Sequence, residues 1–423
     1  MCSHDGCCFN SFVIEDTVAL TEYPEHIVGF LPLNHIAAQY VDGMLPIGYP
    51  ITIYLAKPDA LRGSLTETLH KANPTFFVGV PRVYEKFMEA IKAKFASYSY
   101  LKQWIVSWCQ SIGTCHVTSS QYGKTPYTPY FYSLAKKLLF DPIRETLGFT
   151  QCRFFVVSAA PVTEETLNFF ASLDIQINDV LGQSEGTAPI CFNTDTEQLW
   201  KFYTAGRPLR GIVCRTDPDT SELFYKGRLV MMGYMKMPEE TAATIDDEGW
   251  LHTGDQAYID EDGFVKITGR LKELIVTAGG ENISPVPIEN KIMELCPAIA
   301  NCVVIGDKRK FLSCLISLKT VVDPLTGEPT DKLLPNVIEV IKKNGGNATT
   351  TLEAQQDEAV KKMIDEAVAG YNKVAVSRAQ EIRKWHLMER DLSVGHGELT
   401  ATLKLKRNVV HQHYEKEIDS LYV

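Results

Sequence analysis

The chain has 423 residues, of which 45% are hydrophobic and 22% charged, and its formal net charge at pH 7 is -10. This length and composition are typical of a globular protein with two or three domains and a sizeable core. The negative charge argues against nonspecific nucleic-acid binding as the main function, but it leaves room for a local basic pocket that holds a phosphorylated ligand.

The cysteine pattern and the apolar runs indicate the cellular compartment in which the protein is expected. Eleven cysteines without a C-x-x-C pair indicate reduced thiols rather than a disulfide framework. The first residues lack the basic and long apolar segments of a signal peptide. The longest apolar run, residues 44–56, contains two prolines and is shorter than the roughly 18 residues of a membrane span. We therefore expect a cytoplasmic protein, with peripheral contact to the endoplasmic reticulum or another membrane left open.

Strands and helices alternate from the start of the chain. Strand-like runs at 26–35, 50–56 and 75–80 surround a helical stretch at 61–72, and Pro81 begins a further helix. This spacing predicts an α/β sheet with parallel strands.

The same alternation continues after a less regular segment. Residues 95–130 are rich in Ser and Tyr and are predicted to be irregular and only partly helical. Helical periodicity at 130–147 is followed by a buried strand at 152–161, a helix at 163–173 and a strand at 175–180. This second unit of the pattern extends the predicted sheet.

The predicted secondary structure changes in the second half of the chain. Short strands and turns after residue 200, including a predicted hairpin turn at 260–263, indicate a β-rich subdomain. A new strand–helix pattern begins near residue 272 and leads into a long polar region at 331–384 that is predicted to be helical. The predicted fold is α/β, with mixed α/β sheets in a large N-terminal domain and an α+β C-terminal domain. The domain bounds are 1–200 for the α/β part, 201–271 for the β-rich subdomain and 272–423 for the C-terminal domain.

A loop rich in glycine and oxygen donors follows the strand at 175–180. The loop "LGQSEG" contains Gly182, Ser184, Glu185 and Gly186. Glycines let a backbone approach a ligand closely, and a hydroxyl beside a lone carboxylate suits a phosphate oxygen and a Mg²⁺ ion. On this stretch alone, an ordinary strand-to-helix turn is an equally open interpretation.

Two charged residues flank the predicted hairpin of the β-rich part. Asp255 follows Thr253 and Gly254, and a carboxylate at such a turn can accept hydrogen bonds from a ribose diol or make an Asx-turn. Arg270 ends the next strand, so a hairpin would bring it to the same end of the sheet as Asp255. Its fork of donors suits ribose and phosphate oxygens. The alternative is a solvated charge at a strand end.

The stretch "ITGRLKELIVTAGGENISP" follows directly. It contains the pair Gly279 and Gly280. It is either a surface hairpin with a glycine turn or a joint between two moving parts, and the motifs around it favour the joint.

A basic cluster lies near the end of the sequence. Lys404, Lys406 and Arg407 are typical of a solvated basic face, although one such lysine could reach the phosphates of a nucleotide. The P-loop signature and the G-x-G-x-x-G signature are both absent from the sequence.

In combination, these motifs resemble one superfamily. "SAAP", "LGQSEG", "WLHTGD", "TGRLKELIVTAGGENISP" and "TLKLKR" occur in the order and spacing of the adenylate-forming acyl-CoA synthetases. "LPLNHIAAQ", "TAGGEN", "FLSCLISLK" and "TGEP" are most similar to the bubblegum-type long-chain fatty acid–CoA ligases. The resemblance covers nearly all of the chain. It implies activation of a fatty acid by ATP and Mg²⁺ to an acyl-adenylate, then attack by coenzyme A, with a small mobile C-terminal domain that rotates between the two steps.

The resemblance also implies roles for individual residues. The adenine would be lined by Ser158, Ala159, Ala160 and Pro161. The nucleotide would be wrapped by Asp179, Val180, Leu181, Gly182, Gln183 and Ser184. Glu185 would bind Mg²⁺, Asp255 would hold the ribose hydroxyls with help from Arg270, and Lys404 would contact the acyl phosphate. Ala401 stands where the family has proline.

Further roles concern the acyl group and coenzyme A. His35 would lie near the acyl pocket, and a buried core histidine is the alternative. Lys272 would be the hinge, and Gly279 and Gly280 would line the coenzyme A channel.

One departure from the family pattern concerns the phosphate loop. This Ser/Thr/Gly-rich run normally lies upstream of the His35 motif, and the sequence has no counterpart. We therefore expect a large domain truncated at its N-terminus and impaired adenylation, since backbone donors to phosphate are hard to replace. The alternatives are a non-catalytic nucleotide- or acyl-binding remnant and a carrier-protein loading domain. The sequence predicts neither the preferred chain length nor the oligomeric state.

Overall fold

The structure, a computed structural model, describes residues 1–18, 24–60, 63–158, 160, 162–323, 326–400 and 403–423. The chain divides into two compact units, Met1–Ile267 and Thr268–Val423. The boundary that the sequence places near residue 271 lies just inside the second unit. The α/β fold class is confirmed.

The first unit contains ten helices and ten complete strands within the described residues. The helices are α1 (His4–Val18), α2 (Ile36–Ala38), α3 (Leu45–Gly48), α4 (Leu65–Ala72), α5 (Pro81–Ala96), α6 (Tyr100–Ser119), α7 (Tyr132–Ala135), α8 (Asp141–Leu147), α9 (Glu164–Ser172) and α10 (Pro238–Thr244). The strands are β1 (Glu25–Gly29), β2 (Ile51–Leu55), β3 (Phe76–Gly79), β4 (Phe154–Val157), β5 (Ile177–Gln183), β6 (Ala188–Phe192), β7 (Arg207–Pro208), β8 (Val213–Thr216), β9 (Glu222–Lys226) and β10 (Leu251–Ile259). Strand β11 (Val265–Arg270) runs across the boundary.

A five-stranded sheet organises the first unit, in the order β3-β4-β5-β6-β7. Its first three strands are parallel, as the sequence predicts, and β6 and β7 are antiparallel to their neighbours. Strands β1 and β2 form a separate parallel pair. The β-rich part forms a second sheet in the order β11-β10-β9-β8.

One segment of this unit is more helical than the sequence indicates. Residues 95–130, predicted to be irregular and helical in part, contain the 20-residue helix α6. Its buried positions Val106, Cys109, Ile112 and Val117 recur at three- to five-residue spacing and face the core. The Ser and Thr residues that lower its helix propensity lie on its other faces, so packing of the apolar face decides the conformation.

The second unit has a smaller sheet. Its helices are α11 (Pro285–Leu295), α12 (Pro335–Lys343), α13 (Thr351–Gln356), α14 (Glu358–Asn372), α15 (Arg407–His413) and α16 (Glu415–Ser420). Its strands are β12 (Ile275–Val276), β13 (Asn282–Ile283), β14 (Ile299–Ile305), β15 (Leu312–Leu318), β16 (Thr320–Val322), β17 (Pro329–Leu333) and β18 (Ile382–Leu387). Strands β14, β15 and β18 form a three-stranded sheet, in which β14 is antiparallel and β18 parallel to β15.

The expected helical region at 331–384 is only partly correct. It contains α12, α13 and α14, but it begins inside β17 and ends inside β18. The exposed side chains of β18 are polar or basic, so this edge strand lacks the apolar run that marks a buried strand. Among the helices of the described ranges, none combines the length and the apolar character that crossing a bilayer requires.

Candidate functional site

Ser158 and Asp179 lie where the parallel pairing of β4 with β5 ends in the first unit. Ser158 follows β4, and its hydroxyl donates to the carbonyl of Val180 over 3.2 Å while its N–H donates to the carbonyl of Gly79 over 3.2 Å. Val157 pairs directly with Asp179 across β4 and β5. These residues therefore meet at the carboxyl edge of the parallel strands, which is where ligands bind in open α/β sheets.

The carboxyl group of Asp179 has an unusual environment. Burial raises its pKa to about 7, and a hydrogen bond from the Val180 backbone opposes the rise. Part of the residue surface stays accessible along the edge of the sheet. A carboxyl group with a pKa near neutrality at the carboxyl edge of parallel strands is characteristic of binding and catalytic sites.

Gly182 and Gln183, which the sequence predicts in a loop, belong to β5, because β5 continues as an antiparallel partner of β6. The end of β5 and the turn Ser184–Gly186 after it pack tightly against the protein itself. A Cβ atom on Gly182 would lie 2.5 Å from the Ala188 carbonyl oxygen, and one on Gly186 would lie 2.7 Å from the Tyr225 hydroxyl. The Gln183 side chain donates to the same Tyr225 hydroxyl over 3.0 Å. Packing against β6 and β9 thus requires both glycines, so a ligand is not needed to explain them. Ser184 is exposed beside them.

Two residues after this loop hold a strained backbone. Thr187 and Ala188 have φ angles of 52° and 91°, in the left-handed region that favours glycine. The Thr187 hydroxyl donates to the Leu229 carbonyl, and the Asn10 amide donates to the Thr187 carbonyl, both over 2.8 Å. These buried hydrogen bonds fix a conformation that local propensity disfavours.

Glu185 is oriented by a residue that sequence reasoning missed. The hydroxyl of Tyr234 donates to Glu185 Oε1 over 2.7 Å, and the N–H of Met231 donates to the Glu185 carbonyl over 2.8 Å. Tyr234 lies 49 residues along the chain, and no local pattern marks it. In the described part of the chain, no group of three His, Cys, Asp or Glu side chains could hold a metal ion. A single carboxylate fits Mg²⁺, which commonly takes one or two carboxylates and completes its shell with water and phosphate oxygens.

Asp255 is buried on β10, with 6% of its surface exposed. Its N–H donates to the Thr253 hydroxyl over 3.0 Å, and that hydroxyl donates to the Leu223 carbonyl of β9 over 2.7 Å. Gly254 between them has a φ of 69°. The Thr253 side chain therefore organises this turn.

His35 caps a helix and is half-buried. Its Nδ1 accepts from the N–H of Ala37 over 3.3 Å at the start of α2. A small, largely apolar cleft with a volume of about 10 Å³ lies between this helix and the strands β1 and β3. Asp42 lies in its wall, where burial raises the carboxyl pKa to about 6. The alternative for His35, a satisfied core histidine, is compatible with this hydrogen bond, and the acyl-pocket role stays a prediction.

Five of the predicted site residues belong to the second unit. Arg270 and Lys272 are exposed at the end of β11 and in the short 3₁₀ helix after it. Strands β12 and β13 pair as an antiparallel hairpin around residues 277–281, where Gly280 has a φ of 81° and its N–H donates to Thr277 over 2.9 Å. The hairpin interpretation that the sequence analysis set aside is thus right for the local geometry. The roles of Gly279 and Gly280 toward coenzyme A stay predictions.

The basic cluster at the end of the second unit is not a uniform solvated face. Both terminal nitrogens of Arg407 donate to the carboxylate of Glu289 over 2.6 Å, and Glu289 also accepts from the N–H of Val304 over 2.7 Å. The Glu289 side chain is 6% exposed, so Arg407 belongs to a buried ion pair. Lys406 is exposed and Lys404 is half-buried.

Three predicted positions carry no structural account. Ala159, Pro161 and Ala401 lie outside the described residues. Between the first two, Ala160 is a half-buried bend residue that continues the edge next to Ser158.

Comparison with protein families gives two matches in chain order. The AMP-binding enzyme family matches residues 1–235, and the AMP-binding enzyme C-terminal domain matches residues 272–351.

Curated relatives cover this chain almost completely. The long-chain-fatty-acid–CoA ligase ACSBG2 of Gallus gallus is 42% identical over 433 residues, which are 100% of this chain and 56% of the relative. The human ACSBG2 ligase is 38% identical, over 100% of this chain and 64% of its own length. The ACSBG1 ligase of Mus musculus is 42% identical, over 94% and 56%. The chain thus spans between 56% and 64% of the length of these relatives.

Solved structures share the fold at low identity. The adenylation domain of a carboxylate reductase from Mycobacterium chelonae superposes with a TM-score of 0.65 at 20% identity, over 94% of this chain and 54% of that one. An ATP-bound RpMatB-BxBclM chimera gives a TM-score of 0.64 at 21% identity, over 99% and 65%. These likenesses support the fold, and the identities to the ACSBG ligases confirm the resemblance to the bubblegum type. The chain therefore belongs to the AMP-binding enzyme family.

Proposed function

We propose that this chain acts as a long-chain fatty acid–CoA ligase that converts ATP, a fatty acid and coenzyme A to acyl-CoA, AMP and pyrophosphate. The observation that carries the proposal is the meeting of Ser158 and Asp179 where the parallel pairing of β4 and β5 ends, on the strand that leads to Glu185. The relatives that are named as such ligases, at 38–42% identity, support this choice of substrates.

In the first half-reaction, a fatty carboxylate oxygen attacks the α-phosphorus of ATP, and pyrophosphate leaves. We assign the adenosine part to residues 158–161 and 179–184, and the ribose hydroxyls to Asp255. A buried carboxylate is suited to accept two hydrogen bonds from a diol, because water competes little for it. His35 is assigned to the acyl pocket.

Glu185 is the residue proposed to hold Mg²⁺. When bound, Mg²⁺ would neutralise negative charge on the phosphates. The contribution of the chain itself is orientation, since Tyr234 holds one carboxylate oxygen of Glu185 by a 2.7 Å hydrogen bond.

The second unit is assigned the remaining roles. Lys404 supplies a cation to the acyl phosphate as charge develops there, and Arg270 contacts the ribose. In the second half-reaction the coenzyme A sulfur attacks the acyl carbon, and AMP leaves. We assign the hinge to Lys272 and the pantetheine channel to Gly279 and Gly280. The protein is proposed to work in the cytoplasm or at a membrane surface.

The test uses the full 423-residue chain and two assays. Palmitate-dependent exchange of pyrophosphate into ATP reports adenylation, and thioester formation from supplied palmitoyl-adenylate reports the second step. We expect Lys404→Ala to slow exchange at least about a hundredfold and to change thioester formation less. Lys406→Ala, two residues away and exposed, is the matched control and should change neither.

Two results would contradict this proposal. Equal slowing of both steps by Lys404→Ala would remove its adenylation role. Binding of AMP without any exchange or thioester formation would show that the chain binds nucleotide but is not itself a ligase.

A further inference from the structure

Residues 90–140 have a charge pattern that differs from the rest of the chain. They contain no Asp or Glu, whereas a segment of this length at the chain average of 52 acidic residues in 423 would contain about six. The same segment contains six lysines, Lys92, Lys94, Lys102, Lys124, Lys136 and Lys137. In a protein of net charge -10 this is a local region of the opposite sign.

The same segment exposes large apolar side chains. Trp104 on α6 is 61% exposed, and Phe131 just before α7 is 68% exposed. The surface that we name the α6 patch comprises Leu101, Trp104, Tyr130, Phe131, Leu134 and Leu138. Single exposed apolar residues are ordinary, but a group of this size in one segment marks an interaction surface.

The two halves of the α6 patch are held together. The rings of Trp108 and Phe131 are in contact, with centroids 6.1 Å apart. Further along, Tyr132 donates to Asp174 over 2.7 Å, and Nδ1 of His116 on α6 lies 2.7 Å from the other oxygen of the same carboxylate. The inner face of α6 is buried, so its outer apolar face is displayed on a fixed support.

The charges around the α6 patch favour an anionic surface over a second copy of this chain as its partner. Lys102 is exposed on α6, and Lys136 and Lys137 are exposed in the π-helical turn Lys136–Phe140 that follows α7. Three nearby acids lie outside the segment: Asp174 is bound by His116 and Tyr132, Glu165 pairs with Lys92, and Asp141 begins α8. A second copy docked on this face would bring lysines against lysines with no acid in the segment to pair them. An anionic lipid surface fits both features, because its phosphates pair with the lysines and the boundary below its headgroups takes up aromatic and aliphatic side chains.

We propose that the α6 patch docks this protein on the anionic surface of a lipid bilayer. Leu101, Trp104 and Phe131 enter the boundary between headgroups and acyl chains, and Lys102 and the pair Lys136–Lys137 contact lipid phosphates. This role does not depend on the proposed ligase activity, and its tests measure binding alone.

The first experiment is co-sedimentation of the full chain with vesicles at about 0.1 M salt. We expect at least about tenfold tighter binding to phosphatidylcholine containing about 30% phosphatidylserine than to phosphatidylcholine alone, and a loss of that preference near 1 M salt. Two double variants, Trp104→Ser with Phe131→Ser and Lys136→Glu with Lys137→Glu, should each weaken binding at least about tenfold.

Matched controls make the same chemical changes elsewhere. Tyr258→Ser with Val376→Ser removes two other exposed apolar side chains, and Lys342→Glu with Lys343→Glu reverses two other exposed adjacent lysines. Both should leave binding within about twofold. All altered side chains are exposed, so unchanged circular dichroism and melting temperature are expected for every variant.

A second measurement places the contact at one side chain. Lipids brominated near the headgroup should quench part of the tryptophan fluorescence, and Trp104→Phe should remove that part. The proposal is overturned if the Lys136→Glu and Lys137→Glu variant binds vesicles as tightly as its Lys342→Glu and Lys343→Glu control. It is also overturned if the protein binds neutral and anionic vesicles equally, or if the quenching persists in Trp104→Phe. A wild-type dimer that dissociates on the Trp104→Ser and Phe131→Ser changes would also overturn it, because the face would then join two copies.

Discussion

The hydroxyl of Tyr234 donates a 2.7 Å hydrogen bond to Glu185 Oε1, which fixes the carboxylate that we assign to Mg²⁺. Burial, together with this carboxylate, raises the pKa of Tyr234, so the hydroxyl stays protonated and available as a donor at neutral pH. We expect Tyr234→Phe to raise the Mg²⁺ concentration at half-maximal pyrophosphate exchange about tenfold, because partners that orient a ligand contribute 10- to 100-fold to metal affinity. Saturating Mg²⁺ should restore most of the rate.

Tyr258→Phe is the control for this change, since that side chain is 59% exposed. Glu185→Gln should lose exchange at all Mg²⁺ concentrations. A Tyr234→Phe enzyme whose Mg²⁺ dependence matches the wild type would show that the hydrogen bond has only a structural role.

Asp179 predicts a pH dependence of stability. Its pKa is about 7 in the folded chain and 3.8 in the reference state. Between these values the folded state binds a proton that the unfolded state lacks, so this group makes the protein more stable as the pH falls from about 7 to 4. Asp179→Asn removes the cost of the buried charge and should stabilise the first unit by about 1–3 kcal/mol at pH 8, after allowance for the partly accessible surface.

The measurement is urea unfolding of the wild type and Asp179→Asn at pH 5 and pH 8. The difference in unfolding free energy should be small at pH 5 and large at pH 8. An equal difference at both values would mean that the Asp179 carboxyl does not titrate in this range.

Residues that share a short motif could be found from the sequence, and those that meet only through folding could not. The "LGQSEG" loop and the parallel strands β3, β4 and β5 follow from local patterns. Tyr225 and Tyr234, which hold Gln183 and Glu185, come from other elements and have no signal of their own. The sequence therefore proposes residues for the candidate site, which stay predictions, and the side chains that orient them required the fold.

The same reasoning explains where the predictions were incomplete. Residues 95–130 were predicted to be helical only in part, because their Ser and Thr content obscures the regular buried face of α6. Arg407 resembled part of a solvated basic run, yet Glu289 on α11 pairs with it from 118 residues away in sequence. Charge counts along a chain do not reveal such pairs.

The Arg407–Glu289 pair predicts a large effect on the second unit. Arg407→Leu leaves the Glu289 carboxylate buried without its main partner, which typically costs about 3–5 kcal/mol. Replacing both residues by Leu should recover part of that loss, because an uncompensated charge no longer remains. Lys406→Leu, at an exposed neighbour, should change stability by less than about 0.5 kcal/mol.

Amide hydrogen exchange separates this effect from the first unit. Exchange in α11 and β14 should accelerate in Arg407→Leu, with little change in β3 to β5. If exchange in α11 and β14 were as fast in the double Leu variant as in Arg407→Leu, the unpaired buried charge of Glu289 would not be the cause. That result would contradict the prediction.

Gly206 and Gly263 provide a matched pair for the cost of a close backbone approach. Both have a left-handed backbone, with φ angles of 80° and 82°. A Cβ atom on Gly206 would lie 2.0 Å from the carbonyl carbon of Phe192, whereas one on Gly263 would meet nothing within 4 Å. We expect Gly263→Ala to cost about 1 kcal/mol, which is the left-handed penalty alone. Gly206→Ala should cost more than about 3 kcal/mol, because β6 must also move. Urea unfolding of both variants measures the two costs under one condition. Equal destabilisation by the two substitutions would contradict this prediction. It would mean that the backbone at Phe192 can move away from the new Cβ atom without loss of stability.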